Sequence, residues 1–164
     1  MEGDGGAYRV GISGHRGLGR TTASLVSDAI RKILSGLPDS LAGISCLADG
    51  ADQIFARELL ARGGTLEVVV PAGRYKDCLP PDAHAEYDAL LARASRVHRL
   101  PYPAPTEESH MAASRLMLDR THELLAVWDG KPARGYGGTA DVVAEARSRG
   151  LPIRVIWPPG ARRD

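Results

Sequence analysis

The sequence contains few of the residues on which disulfide-rich and metal-binding folds depend. Its 164 residues include two cysteines, Cys46 and Cys78, which are too few for a disulfide framework and too isolated for a paired-cysteine metal motif. The histidines in the second half of the chain show no metal-ligand spacing with one another or with the cysteines. We therefore predict no metal, no cofactor and a reduced compartment.

Long apolar runs are also missing. No stretch approaches the ~20 apolar residues that a membrane span requires, and the segment from Met1 to Ala7 lacks the apolar core of a signal peptide. We therefore expect a cytoplasmic protein with no membrane partner.

Neither sign of charge dominates the sequence. Lysine and arginine number 21 against 20 aspartates and glutamates, which gives a formal net charge of +1. Without a global positive field, polyanions are not concentrated at the protein surface. This balance disfavours nucleic acid as a partner without excluding it, and a local arginine patch that includes Arg16, Arg74 and Arg93 is the alternative.

What the sequence does contain is the composition of an ordinary folded domain, with 43% hydrophobic and 25% charged residues. The length fits a single domain over residues 1–164. Short apolar runs alternate with helical periodicity, which is typical of βαβ units. We predict an α/β fold with a doubly wound, mostly parallel sheet of about six strands and helices on both faces. The predicted strands are 8–13, 43–48, 66–70, 97–100, 124–128 and 153–156, and the predicted helices are 19–34, 51–62, 83–94, 106–118 and 138–149.

Three loops each follow a strand and precede a helix, so parallel connectivity brings them to one edge of the sheet. The first loop contains Ser13, Gly14, His15 and Arg16. Glycine lets the backbone approach a ligand, and a helix N-terminus attracts an anion. His15 can donate a hydrogen bond or titrate near neutral pH. The alternatives are a tight turn without a ligand and an exposed histidine.

The second loop contains Gly50, which permits a tight bend, and Asp52, which lies in the first turn of the following helix. A carboxylate is favourable there, so structural capping explains Asp52 without a ligand. The long loop after the third strand carries Arg74 and Tyr75, which can cover a base by stacking or cation–π contact. The alternative for Tyr75 is a surface tyrosine that packs on its own loop.

The third loop ends in Gly137, Gly138 and Thr139 at the start of the last helix. Backbone N–H groups, the helix dipole and the Thr139 hydroxyl can converge there on a phosphate. The alternative is that Thr139 only caps the helix. Asp129, at the tip of the fifth strand, can bind ribose hydroxyls, although an Asp-Gly turn also selects this residue.

These motifs resemble those of a known superfamily. GISGHR at residues 11–16 resembles an opening GxSGxR pattern, and SCLADGAD at residues 45–52 is similar to an SGLAxGxD stretch, with a departure at Cys46. LAVWDG at residues 125–130 and GGT at residues 137–139 resemble the ending that the group shares. The chain thus resembles the SLOG superfamily (SMF/DprA–LOG) of Rossmann-like domains, which bind nucleotides or related ligands.

The resemblance implies a possible reaction. LOG-like proteins, also called lysine-decarboxylase-like, include phosphoribohydrolases that release a base from a nucleoside 5′-monophosphate and carry a PGGxGTxxE motif. This chain has no proline in that turn, and Asp141 stands near the place of the glutamate. By resemblance, Asp141 and Arg115, on the preceding helix, are the catalytic candidates. An aspartate is one methylene shorter, which changes its reach toward a substrate.

The predicted function is therefore binding of a nucleotide or nucleotide-derived ligand through phosphate-cradling helix N-termini, with hydrolysis of the N-glycosidic bond of a nucleoside 5′-monophosphate as the specific enzyme hypothesis. The alternatives are a noncatalytic nucleotide-sensing or partner-binding module and, with less weight, a DprA-like binder of single-stranded DNA. The resemblance also implies a homo-oligomer.

Overall fold

The computed structural model describes residues 6–163, which form strands and helices in βαβ order. The strands are β1 (Tyr8–Gly14), β2 (Leu41–Ser45), β3 (Thr65–Val70), β4 (Arg96–Arg99), β5 (Glu123–Val127) and β6 (Ile153–Ile156). The α-helices are α1 (Arg20–Ser35), α2 (Ala51–Ala61), α3 (His84–Ala92), α4 (Glu107–Asp119) and α5 (Thr139–Ser148). Short 3₁₀ turns at Lys76–Cys78 and Pro81–Ala83 precede α3.

All six strands join one sheet in the order β4-β3-β2-β1-β5-β6. Every adjacent pair is parallel, which confirms the predicted α/β architecture and makes the sheet fully parallel over the described residues. The chain winds outward from β1 to β4 and then returns to β5 on the other side of β1. The boundary between β1 and β5 is therefore the topological switch point, where folds of this kind place ligands.

Helices cover both faces of the sheet, as predicted. One layer contains α1, α2 and α3, and the other contains α4 and α5. The first core includes Ile30, Phe55 and Leu125, and the second includes Met117 and Leu124. Strands β2 and β5 are buried at every residue, which is the pattern of central parallel strands between two helical layers.

The second strand begins and ends earlier than predicted. Residues 46–48 were predicted as strand, but they form a loop because local polar contacts replace the ladder. The Ser45 hydroxyl accepts a hydrogen bond from the Leu47 N–H at 3.0 Å, and Leu47 has a φ of 58°. The Asp52 carboxylate accepts a hydrogen bond from the Ala48 N–H at 3.2 Å.

No helix in the described part of the chain is long and apolar enough to cross a membrane. Most of the segment that was predicted to lack a signal peptide, residues 1–5, lies outside the described residues.

Candidate functional site

A cavity of about 490 Å³ opens beside the switch point between β1 and β5. This volume suits a nucleotide-sized ligand. Five parts of the chain line the cavity: the loop after β1, the loop after β2 with the start of α2, the loop after β3, the loop before α5 together with α4, and the segment after β6. The predicted residues among the lining are Ser13, Gly14, His15, Arg16, Gly137, Gly138 and Thr139.

The loop after β1 passes very close to its neighbours at Gly14. A Cβ atom at this position would lie 2.4 Å from the Ala51 Cβ and 2.8 Å from the Val127 Cβ. Real side chains never come so near one another, so a larger residue here would displace α2 or β5. Glycine therefore lets the start of α2 and the end of β5 close around the first loop.

Asp49 fixes the same loop, although the sequence did not point to this residue. Its Oδ1 accepts a hydrogen bond from the Arg16 Nε at 2.8 Å, and its Oδ2 accepts one from the Gly17 N–H at 2.9 Å. The Arg16 guanidinium also donates to the Cys78 carbonyl at 3.3 Å. These bonds hold the Arg16 guanidinium at the cavity wall.

Gly50 lies behind this wall and not in it. Its φ is +89°, and an added Cβ would lie 2.6 Å from the His15 carbonyl oxygen. The Ala51 N–H donates to that same carbonyl at 3.2 Å. Gly50 thus joins the second loop to the first, and a role in contacting ligand remains a prediction.

His15 is buried, with 3% of its surface exposed, so it is not the exposed loop histidine of the alternative interpretation. Its Nε2 accepts a hydrogen bond from the Asp129 N–H at 3.0 Å, and its ring meets the Trp157 ring edge-on at 5.5 Å. Burial, and then the positive charge of Arg163, lower the pKa of His15. The imidazole is therefore neutral at pH 7, as acceptance from a backbone N–H requires.

Asp129 supports this arrangement from the end of β5. Its Oδ1 accepts a hydrogen bond from the Lys131 N–H at 3.0 Å and lies 3.1 Å from the His15 Nε2. Although burial opposes ionisation, the hydrogen bond from the Lys131 N–H and the positive charge of Arg163 lower the pKa of Asp129. The carboxylate is turned toward His15 and the Asp-Gly turn, and ribose binding by Asp129 remains a prediction.

The N-terminus of α5 faces the cavity. Gly138 is the N-cap residue, and no side chain in the described part of the chain caps this helix. Thr139 is the first helical residue and not the cap, so the alternative role proposed for it is not observed. The first N–H groups of an uncapped helix and its dipole favour an anion.

Asp141 and Arg115, the catalytic candidates, do not line the cavity. The Asp141 carboxylate accepts a hydrogen bond from the Gly137 N–H at 2.9 Å, so it holds the glycine turn. The Arg115 guanidinium donates to the Tyr136 hydroxyl at 3.3 Å and lies 3.5 Å from the Glu145 carboxylate. Asp141 and Arg115 thus lie outside the cavity lining but contact Gly137 and Tyr136, which belong to it, and their catalytic roles remain predictions.

A second set of titratable groups lines the cavity: Cys46, Asp52, Tyr75 and His110. Of these, sequence reasoning gave only Tyr75 a possible ligand contact, by stacking on a base. Tyr75 is 2% exposed and belongs to the core, so it is not a surface tyrosine. Burial raises the pKa of Asp52 to about 7. A buried carboxyl that titrates near neutral pH is able to exchange a proton with a ligand.

The sequence signal for Asp52 was its place in a helix first turn, which predicted capping alone. Tyr75 and His110 are far apart in the chain, yet their rings lie 5.8 Å apart. No local pattern could have indicated that contact.

Four arginines line the cavity, namely Arg16, Arg134, Arg162 and Arg163, whereas Asp52 is the one acidic residue of the described lining. The near-neutral net charge therefore conceals a local excess of positive charge, which a cleft with low-dielectric walls focuses. Among the described residues, no group of three or more His, Cys, Asp or Glu side chains is placed to hold a metal.

No protein-family model matches the sequence, and no curated protein matches it. Solved structures do. DprA from Streptococcus pneumoniae has a TM-score of 0.67 at 21% identity, over 94% of this chain and 52% of that protein. This chain thus spans about half the length of the pneumococcal DprA.

Two further structures share the fold. DprA from Helicobacter pylori, described for its single-stranded DNA binding mode, has a TM-score of 0.68 at 15% identity, over 94% of this chain and 67% of that protein. The molybdenum cofactor binding protein from Rippkaea orientalis has a TM-score of 0.58 at 13% identity, over 91% of this chain and 76% of that protein.

These comparisons overturn one sequence-based prediction. The judgement that nucleic acid is a disfavoured partner is wrong, because a protein of this fold binds single-stranded DNA. Net charge was a poor guide to the binding partner, since it averages the arginines that line the cavity with acidic residues elsewhere in the chain. The chain therefore has the Rossmann-like fold of DprA and of the molybdenum cofactor binding protein.

Proposed function

We propose that this chain binds a nucleotide or nucleotide-derived ligand whose phosphate lies against the N-terminus of α5. The observation that carries this proposal is the combination, in one cavity of about 490 Å³, of an uncapped helix start with four arginines. Helix N–H groups bind phosphate oxygens directly, and guanidinium groups match phosphate geometry with paired donors. Both features favour an anion over a neutral ligand.

Thermal-shift measurements with a panel of nucleotides test the proposal. A ligand present at 100 times its Kd stabilises the folded state by about 2.7 kcal/mol, whether or not it is turned over. The molybdenum cofactor belongs in the same panel as cargo, because a protein of this fold is named for binding it.

Thr139→Val should weaken binding about tenfold, the effect of losing one hydrogen bond to a charged group. Thr65→Val, at the exposed start of β3, is the matched control and should bind normally. If no member of the panel raises the melting temperature, the proposal fails.

Hydrolysis of the N-glycosidic bond of a nucleoside 5′-monophosphate is the enzymatic form of this proposal. Asp52 supports it, because a buried carboxyl with a pKa of about 7 in the cavity wall is suited to proton transfer. Chromatography of reactions with a panel of nucleoside monophosphates should detect free base. Asp52→Asn should abolish release, and unchanged turnover in Asp141→Asn would remove Asp141 from the mechanism.

Stabilisation by a nucleotide without release of base would instead identify a noncatalytic binding module.

In either form we also propose a cytoplasmic homo-oligomer. Light scattering after size exclusion measures the oligomeric state, and a monomer at all concentrations would contradict it.

Single-stranded DNA is a second candidate ligand, favoured by the fold shared with Helicobacter pylori DprA and by the arginines of the crevice. Fluorescence anisotropy with a labelled oligothymidylate tests it. Binding should weaken with salt, with a slope of log K against log[salt] near −0.7 for each phosphate contacted. No binding even at low salt would exclude this candidate, and competition by a mononucleotide would place the DNA in the same crevice.

A further inference from the structure

The segment after β6, Trp157–Arg163, is anchored at the crevice, and we call it the C-terminal strap. The Thr22 hydroxyl accepts a hydrogen bond from the Arg162 N–H at 2.9 Å and donates one to the Arg162 carbonyl at 3.2 Å. Thr22 is 4% exposed and lies in the first turn of α1. At its other end the strap places Trp157 edge-on against His15. Both anchors lie beside the loop after β1.

The strap carries two of the four cavity arginines. The Arg163 guanidinium lies 4.0 Å from the Asp129 Oδ2, whereas the Arg162 side chain is exposed. Within residues 6–163, no carboxylate lies within ion-pairing distance of Arg162 or Arg134. Two guanidinium groups of the crevice are therefore available to an anionic ligand.

The positive charges lie on both sides of β1. Arg16 is held by Asp49, which follows β2, and Arg163 approaches Asp129, which follows β5. Strands β2 and β5 are the two neighbours of β1 in the sheet. A ligand at the switch point is thus flanked by cations from opposite directions, with the N-terminus of α5 as a further positive end.

A single phosphate monoester carries a charge of only about −1.5 to −2 at pH 7, and one phosphate reaches few donors at once. Arg16 and Arg163 already lie beside Asp49 and Asp129, but the cavity cations come from both sides of β1 and from the helix N-terminus, and one phosphate cannot contact all of them. A pyrophosphate group carries more charge and spans a greater length, so it matches cations that are spread across the crevice.

We propose that the C-terminal strap forms part of the ligand site, and that the crevice selects nucleotides that contain a pyrophosphate group over nucleoside monophosphates. This inference rests on the proposed nucleotide-binding function and names the class of ligand. The pyrophosphate can be terminal, as in ADP, or bridged between two nucleosides, as in NAD.

Isothermal titration of the full chain with AMP, ADP and NAD tests the inference. At least one of ADP and NAD should bind about tenfold more tightly than AMP, the effect of one added charge-assisted contact. The ratio between the dissociation constants for ADP and NAD distinguishes a terminal from a bridged pyrophosphate.

In Arg162→Ala/Arg163→Ala the preference over AMP should fall to about one- to threefold. Arg93→Ala removes one positive charge, as Arg162→Ala does, from an exposed position at the end of α3 and should leave the preference unchanged.

Each result decides between the two proposals. Equal binding of AMP, ADP and NAD by the wild-type chain would overturn this inference while the nucleotide-binding function stands. A preference that persists in the double variant would overturn the role of the strap. Absence of binding by all three nucleotides would overturn this inference, whereas the nucleotide-binding function fails only if no member of the thermal-shift panel stabilises the protein. The single variant Arg162→Ala, which keeps both backbone bonds to Thr22 and replaces an exposed side chain, separates lost binding from lost folding.

Discussion

At the scale of single residues, Asp52 combines a structural contact with an unusual titration. Its carboxylate accepts a bond from the Ala48 N–H, which shapes the loop after β2, and burial raises its pKa from 3.8 to about 7. The folded protein therefore holds a proton on Asp52 between those pH values while the unfolded chain does not. Stability from this group is full below pH 4 and decreases as the pH rises toward 7.

Asp52→Asn should remove this pH dependence. The asparagine Oδ1 still accepts from Ala48 but carries no charge, so the variant should gain stability relative to the wild type as the pH rises from 5 to 8. The raised pKa sets the upper limit of the gain over the full titration at about 4 kcal/mol. Urea unfolding of both proteins at pH 5 and pH 8 measures it. A difference in unfolding free energy that is equal at the two pH values would contradict the assignment.

At the scale of elements, the glycines before and after α2 allow two effects of a substitution to be compared, namely backbone strain and steric contact of the new side chain with its neighbours. Gly50 and Gly63 have φ values of +89° and +93°, but only Gly50 has neighbours in the space of a Cβ atom. Gly50 must adopt a left-handed backbone conformation and must also leave room for the His15 carbonyl. Gly63 must adopt only the left-handed conformation.

Gly63→Ala should lower the unfolding free energy by about 1 kcal/mol, the cost of placing a side chain in the left-handed region. Gly50→Ala should cost about 1–3 kcal/mol more, because the loop after β1 must also move. Chemical denaturation at pH 7 measures both. Equal losses in the two variants would show that the two loops do not constrain each other.

Prediction from sequence succeeded where local pattern decides the element and failed where distant parts meet. The start of α4 was predicted at residue 106, and in the structure Thr106 caps this helix, with reciprocal hydrogen bonds to Ser109 of 2.8 and 3.0 Å. The end of β2 was predicted incorrectly. Asp52, in the following helix, accepts a hydrogen bond from the Ala48 N–H, and the strand therefore ends early. The position of the C-terminal strap could not be predicted from local sequence pattern, because Arg162 and Thr22 are distant in sequence and meet only in the folded protein.

At the scale of the whole molecule, a charged cluster outside the cavity lining joins three strands of the sheet. Glu67 of β3 is 2% exposed and accepts hydrogen bonds from Arg9 of β1 at 2.7 Å and from Arg120, after α4, at 2.9 Å. The His98 Nε2 of β4 lies 3.1 Å from the same carboxylate. Burial opposes ionisation of this carboxyl, but these bonds outweigh it and lower the pKa of Glu67 to about 2.

Glu67→Gln should destabilise the protein by about 3 kcal/mol at pH 7, the equivalent of a pKa lowered from 4.5 to about 2, since it removes the charge that the partly buried Arg9 and Arg120 contact. A lowered pKa contributes stability above the unfolded value of 4.5, and this contribution is lost as the pH falls through 2. The difference from the wild type should therefore shrink between pH 7 and pH 3 in urea titrations. Because none of the residues of this cluster lines the cavity, ADP affinity should not change, and a weakened ADP affinity would show that Glu67 influences the cavity.

The pairing of β1 with β5 has a kinetic consequence. Contacts between residues distant in sequence form late, because the entropy of closing the intervening chain must be overcome first. The crevice is built from the loop after β1, the start of α5 and the strap, so it exists only after both ends of the chain have come together. In refolding experiments, binding of a fluorescent nucleotide should appear with the slowest phase, after helical circular dichroism has recovered. A binding signal that precedes this phase would show that the two halves meet early. In this molecule, the ability to bind ligand thus reports that folding is complete.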